Sequence, residues 1–167
     1  EHPYQSSERM NLLIASQHEY HQGYLSDTAK HFNWHGINSA TLSFMLDQGH
    51  ECRTLVLTIK DFAGKLAELD MWTQASLAEA ELLLYLLDND KAALDRAKVL
   101  YSTVVALDTG RIHYRSSLRN IQIILAYVQE TVKQQALKSL IEEVFPRITI
   151  VTAFDENSCP YVAGNLT

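Results

Sequence analysis

An all-α fold is predicted for this chain by three observations: the placement of its prolines, the four-and-three recurrence of its apolar residues, and the turn residues that interrupt them. Proline occurs only at Pro3, Pro146 and Pro160. Roughly 140 consecutive residues therefore lack that helix breaker. The interruptions are Gly23 with Ser26-Asp27, Gly49-His50, Asp88-Asn89-Asp90 and Asp108-Thr109-Gly110, and each supplies a C-cap glycine or an N-capping oxygen. They predict five helices, over residues 4–22, 27–48, 51–87, 91–107 and 111–145. The expected architecture is an elongated antiparallel helical bundle, four-helix-bundle-like with about five helices, over residues 1–146. A short irregular tail over 147–167 follows it.

The first two segments read as a hairpin around Gly23 to Ser26. The third carries the clearest seam, with Leu55, Ile59, Phe62, Leu66, Leu69, Thr73, Ser76, Ala80, Leu83 and Leu87 at alternating spacings of four and three, the period of a helix face packed on a partner. The fourth repeats it with Ala93, Ala97, Leu100, Val104 and Leu107, and the fifth with Tyr114, Leu118, Ile121, Leu125, Val128 and Val132. Helices of about 35 residues would be rods of about 50 Å. In the middle of the third seam Thr73, Ser76 and Ala80 replace large side chains. Either a bulky group from a facing helix fills that space or it forms a ligand cavity. After Pro146 the β-branched run Ile148 to Thr152 and the turn-rich stretch from Asp155 end the bundle pattern.

At 167 residues and 47% apolar content the chain is the size of one domain with a sizeable core. Its 14 basic residues against 20 acidic ones leave a net charge of -6, which argues against nucleic acid as a partner, since phosphate backbones require a basic face. No apolar run is long enough to span a bilayer, and none of the chain looks like a signal peptide. The start at Glu1 reads as an excised or processed segment. Two cysteines are present, Cys52 in the third segment and Cys159 in the tail. A Cys52–Cys159 disulfide would staple the tail in an oxidising compartment; two unrelated thiols are the alternative. Asn165-Leu166-Thr167 matches the glycosylation sequon, a pattern common by chance.

Two groups of residues carry candidate chemistry. His18 and His21 near the end of the first helix and His31 and His35 near the start of the second would meet in a hairpin, a set suited to zinc or copper, with Glu19 or His50 as a further ligand. Helical phase opposes it, placing these imidazoles off the core face. In the fifth segment Arg111, Arg115 and Arg119 recur every four residues beside His113 and Tyr114. Such a row binds carboxylates or phosphates bidentately, or is a solvated basic face. There is no zincin spacing, no paired Glu-x-x-His, no phosphate loop and no nucleophile elbow. No enzymatic activity and no obligatory cofactor are expected.

The run Leu82-Leu83-Leu84-Tyr85-Leu86-Leu87-Asp88-Asn89-Asp90-Lys91-Ala92-Ala93-Leu94 resembles a helix-turn-helix that recurs in the extracytoplasmic helical-bundle sensor domains of bacterial chemoreceptors and sensor histidine kinases. The resemblance extends over residues 51–145. It implies a periplasmic or otherwise extracytoplasmic setting, a homodimer, origin in a membrane receptor, and arginines that hold a small carboxylate near the dimer interface, here Arg111, Arg115 and Arg119. The two shorter helices around Gly23 depart from that family's long first helix. The resulting expectation is a signal-sensing domain for a small anionic ligand. The alternatives are an extracytoplasmic metal-binding bundle built on His18, His21, His31 and His35, and a non-enzymatic protein-interaction bundle.

Overall fold

The computed structural model describes residues 7–26, 32–108 and 112–145, and all of its regular structure is helical. Seven helices follow one another in these residues: α1 (Ser7–Ser26), α2 (Phe32–Met45), α3 (Gly49–Gly64), α4 (Met71–Asp88), α5 (Lys91–Leu107), α6 (Ile112–Tyr127) and α7 (Thr131–Val144). They form an all-α bundle. Helix α4 is its centre, packed against α2, α3, α5 and α6. Every residue from Ala78 to Leu86 is buried, Glu79 and Glu81 included. Helix α1 lies against α2 at one side, and α7 packs on α5 and α6 at the other.

The turn at Asp88-Asn89-Asp90 forms as the sequence predicts. Asn89 takes the left-handed conformation (φ 57°) and donates its backbone N–H to Tyr85 O, closing α4. Asp90 then accepts from Ala92 N at 2.9 Å and opens α5, whose bounds match the predicted 91–107.

The two expected rods are each divided. Within 51–87 the chain leaves the helix at Gly64, and Asp70 starts a new one by accepting a hydrogen bond from Thr73 N at 2.7 Å. Within 111–145 it breaks at Val128 to Glu130, where Gln134 Nε2 donates to Val128 O at 2.7 Å. Reversal lets α3 and α4, and likewise α6 and α7, pack side by side on a shared core instead of extending past it. Gly23 is not a helix end either. Helix α1 continues through it to Ser26, and a Cβ there would lie 2.6 Å from His35 Nδ1; glycine admits the close approach of α2. At the next turn Asp47, not Gly49, has positive φ (60°), and Gly49 opens α3.

The core is continuous through α2 to α7 and includes Leu55, Ile59, Leu83, Ile121 and Leu137. An aromatic group closes one end: Phe145 meets Tyr101 at 5.7 Å and Tyr114 at 5.2 Å between ring centroids, both near edge-to-face. Two glutamates on the buried face of α4 are accommodated differently. Glu81 is paired with Lys60 of α3 at 2.7 Å and Arg96 of α5 at 2.9 Å. Glu79 accepts from the Thr41 hydroxyl of α2 at 2.5 Å and from Asn120 Nδ2 of α6 at 2.9 Å.

Candidate functional site

Helices α1, α2, α4 and α6 leave a cleft of about 430 Å³ between them, within the range of small-molecule sites. It exists because α4 and α6 turn small or polar residues toward each other at this level: Ala75 and Ser76 on α4, Ser116 and Ser117 on α6. The thinning of the third predicted seam at Ser76 is therefore space, while Thr73 is engaged by Asn33 Nδ2 at 3.2 Å and Ala80 is core.

Aromatic rings line the wall and rim. Tyr20 of α1 meets Trp34 of α2 at 5.5 Å, edge-to-face, and Trp72 of α4 meets His113 of α6 at 4.2 Å in the same manner. Trp34 is 41% and Trp72 45% exposed, so both rings offer apolar surface at the cleft. His113 Nδ1 is buried without a hydrogen-bond partner among the described residues. Arg115 and Arg119 of α6 also line the cleft. Among the described residues Arg115 makes no hydrogen bond or ion pair.

Glu79 also lines the cleft, although it is only 4% exposed. Burial raises its carboxyl above the ordinary range, against the opposing effect of hydrogen bonds from Thr41 and Asn120. Both of those partners are neutral, and no lysine, arginine or histidine among the described residues pairs with it. The contrast with doubly paired Glu81 is electrostatic: one buried carboxyl has its cations, the other does not.

Of the anion-binding residues read from the sequence, His113, Arg115 and Arg119 come together here. Arg111 lies outside the described residues. Tyr114 points the other way, buried against Phe145 with its hydroxyl unpartnered among the described residues, because α6 is packed on two sides and Tyr114 belongs to its core-facing side. Sequence reasoning missed Glu79, Asn120, Trp34 and Tyr20. A glutamate inside the apolar run from Ala78 to Leu86 was a usable signal for the first; the others depend on how α1 and α2 are laid on α4.

The histidines do not assemble in the same way. His18 is exposed. His21 approaches Glu51 of α3 at 3.7 Å, whereas His35 lies over Gly23 and edge-on to Trp34. No group of three or more His, Cys, Asp or Glu among the described residues has metal-binding geometry; His31, the fourth of the predicted ligands, lies outside them. Cys52 in α3 is fully buried and makes no disulfide among the described residues, and burial, followed by the charge of Glu79, pushes its thiol up to about 12. Cys159 and the whole tail from Pro146 lie outside the described residues, as does the proposed staple between the two cysteines. No helix among the described residues is long and apolar enough to cross a membrane. Compared with known families, characterised proteins and solved structures, the chain finds no match.

Proposed function

We propose that this chain is a non-enzymatic ligand-binding domain that takes a small anionic molecule into the cleft between α1, α2, α4 and α6. One observation carries the reading: Arg115, without a partner among the described residues, lines the same 430 Å³ cleft as Arg119 and the buried, unpartnered Nδ1 of His113. Guanidinium groups bind carboxylate and phosphate bidentately, and the partly apolar wall strengthens that attraction relative to water.

A ligand seated there would touch α6 together with α2 and α4. Its differential affinity for two packings of those helices would shift their populations, which is how such a domain passes a signal on. The sensor role, the extracytoplasmic setting, a homodimer and origin in a membrane receptor belong to the same proposal, and the helix-turn-helix around Asn89 supports them by resemblance. Shorter helices make the displacement a repacking around α4 instead of the tilt of a single long rod.

The test is a thermal-shift screen of the purified chain against small carboxylates and inorganic phosphate, with and without chelator, followed by titration of any stabilising compound into Arg115→Gln. Stabilisation that is insensitive to chelator and lost in the variant is expected. A stabilising anion that binds the variant with undiminished affinity would remove Arg115 from the site, and stabilisation by zinc or copper alone would favour the histidines.

A further inference from the structure

We infer that the cleft selects an elongated amphoteric molecule, one that sets a carboxylate on Arg115, a flat apolar body among Tyr20, Trp34 and Trp72, and an ammonium group against Glu79. This rests on the anion-binding reading of the cleft and adds the other end of the ligand. The argument begins with Glu79. A carboxylate this deeply buried ordinarily has a cationic partner, as Glu81 two residues on has in Lys60 and Arg96. Glu79 has none among the described residues, yet it lines the cleft. Each carboxylate oxygen already accepts one hydrogen bond, from Thr41 or Asn120, and has a second lone pair to offer.

The spacing follows from α6. Arg115 and Asn120, which holds Glu79, are five residues apart on that helix, about 7.5 Å along its axis, and both side chains lean toward the N-terminus, so the longer arginine reaches further from Glu79 than the asparagine does. Two charges separated by the length of a ring fit this distance better than two on one carbon atom. The wall between supplies the matching surface: the rings of Trp34 and Trp72 are half-exposed at the cleft, and Ile37 and Ile123 complete it.

Calorimetric titration with a matched pair of probes tests this: 4-(aminomethyl)benzoate, which has both charges, and 4-methylbenzoate, which lacks only the amine. The native chain is expected to bind the first more tightly by about tenfold or more, the scale of a desolvated charge pair, and Glu79→Gln is expected to abolish that preference, the two probes then binding the variant alike. Equal binding of the two probes by the native chain, or a preference that survives Glu79→Gln, overturns the ammonium site and leaves the anion site standing. If neither probe nor any other small carboxylate binds, the anion site fails and this inference with it. The comparison of probes on the native chain needs no variant, so a Glu79→Gln chain that failed to fold would leave the inference falsifiable.

Discussion

The Asn120 side-chain amide donates to Glu79 Oε2 at 2.9 Å and thereby ties α6 to the central helix at the floor of the cleft. With the Thr41 hydroxyl on Oε1, this places one carboxyl at the junction of α2, α4 and α6. Any change in the charge of Glu79 is felt by three helices at once.

That position gives stability a pH dependence of definite sign. The folded carboxyl is raised from its ordinary 4.5, so between the unfolded and folded values the native state holds more protons, and stability falls as pH rises through that window. Glu79→Gln removes the titration. The variant's melting temperature relative to the native chain is therefore expected to increase as pH rises above the ordinary carboxyl value of 4.5. A difference that stays flat or declines over that range would show Glu79 ionised in the fold at no cost.

Arg115 is exposed and makes no ion pair among the described residues. Arg115→Gln is expected to leave stability within about 0.5 kcal/mol of the native chain, the usual range for such positions, while abolishing retention of small carboxylates. Denaturant unfolding and calorimetry on the same preparation separate the two effects; a large loss of stability would mean the guanidinium is structural.

Cys52, wholly buried and with its thiol pushed up to about 12, is expected to resist alkylation in the native state and to react only on unfolding, since the thiolate is the nucleophile. Alkylation in denaturant without reductant reads its pairing as well. Two labels per chain mean free thiols, and none means the Cys52–Cys159 disulfide.

The Tyr101 hydroxyl is buried without a hydrogen-bond partner among the described residues, and burial raises its pKa well above the usual tyrosine value. Tyr101→Phe keeps the packing on Phe145 and relieves an unsatisfied polar group, whose burial costs about 1–3 kcal/mol. Chemical denaturation is expected to show a variant at least as stable as the native chain.

Asp70 creates the start of α4, and its replacement by alanine should cost about 1 kcal/mol by loss of the cap to Thr73 N. An unchanged unfolding midpoint would mean that packing alone fixes the break after Gly64.

What was legible in the sequence follows from local rules. Asn89 and Asp90 announced the α4–α5 turn because one tolerates the left-handed conformation and the other caps the next helix. Gly64 and Asp70 gave the same kind of signal, yet the seam through Leu66 and Leu69 continued across them, and periodicity masked the break. At Val128 to Glu130 there was neither glycine nor proline to read. Arg111, Arg115 and Arg119 stood out by their spacing on one helix, with His113 and Tyr114 beside them, and of these His113, Arg115 and Arg119 line the cleft. Glu79, Trp34 and Tyr20 did not, since they reach the cleft from other helices.

The sequence by itself determined that the described chain is helical and that α5 spans Lys91 to Leu107, since propensity, capping and apolar periodicity act within a few residues of one another. Tertiary packing decided the remainder. It chose where two long apolar seams fold back on themselves, because burying both halves on one core removes more apolar surface from water than extending a rod. It also turned Tyr114 inward and left Glu79, at the foot of a cleft, without a cation among the described residues, because which polar groups meet is fixed by helices far apart in the chain.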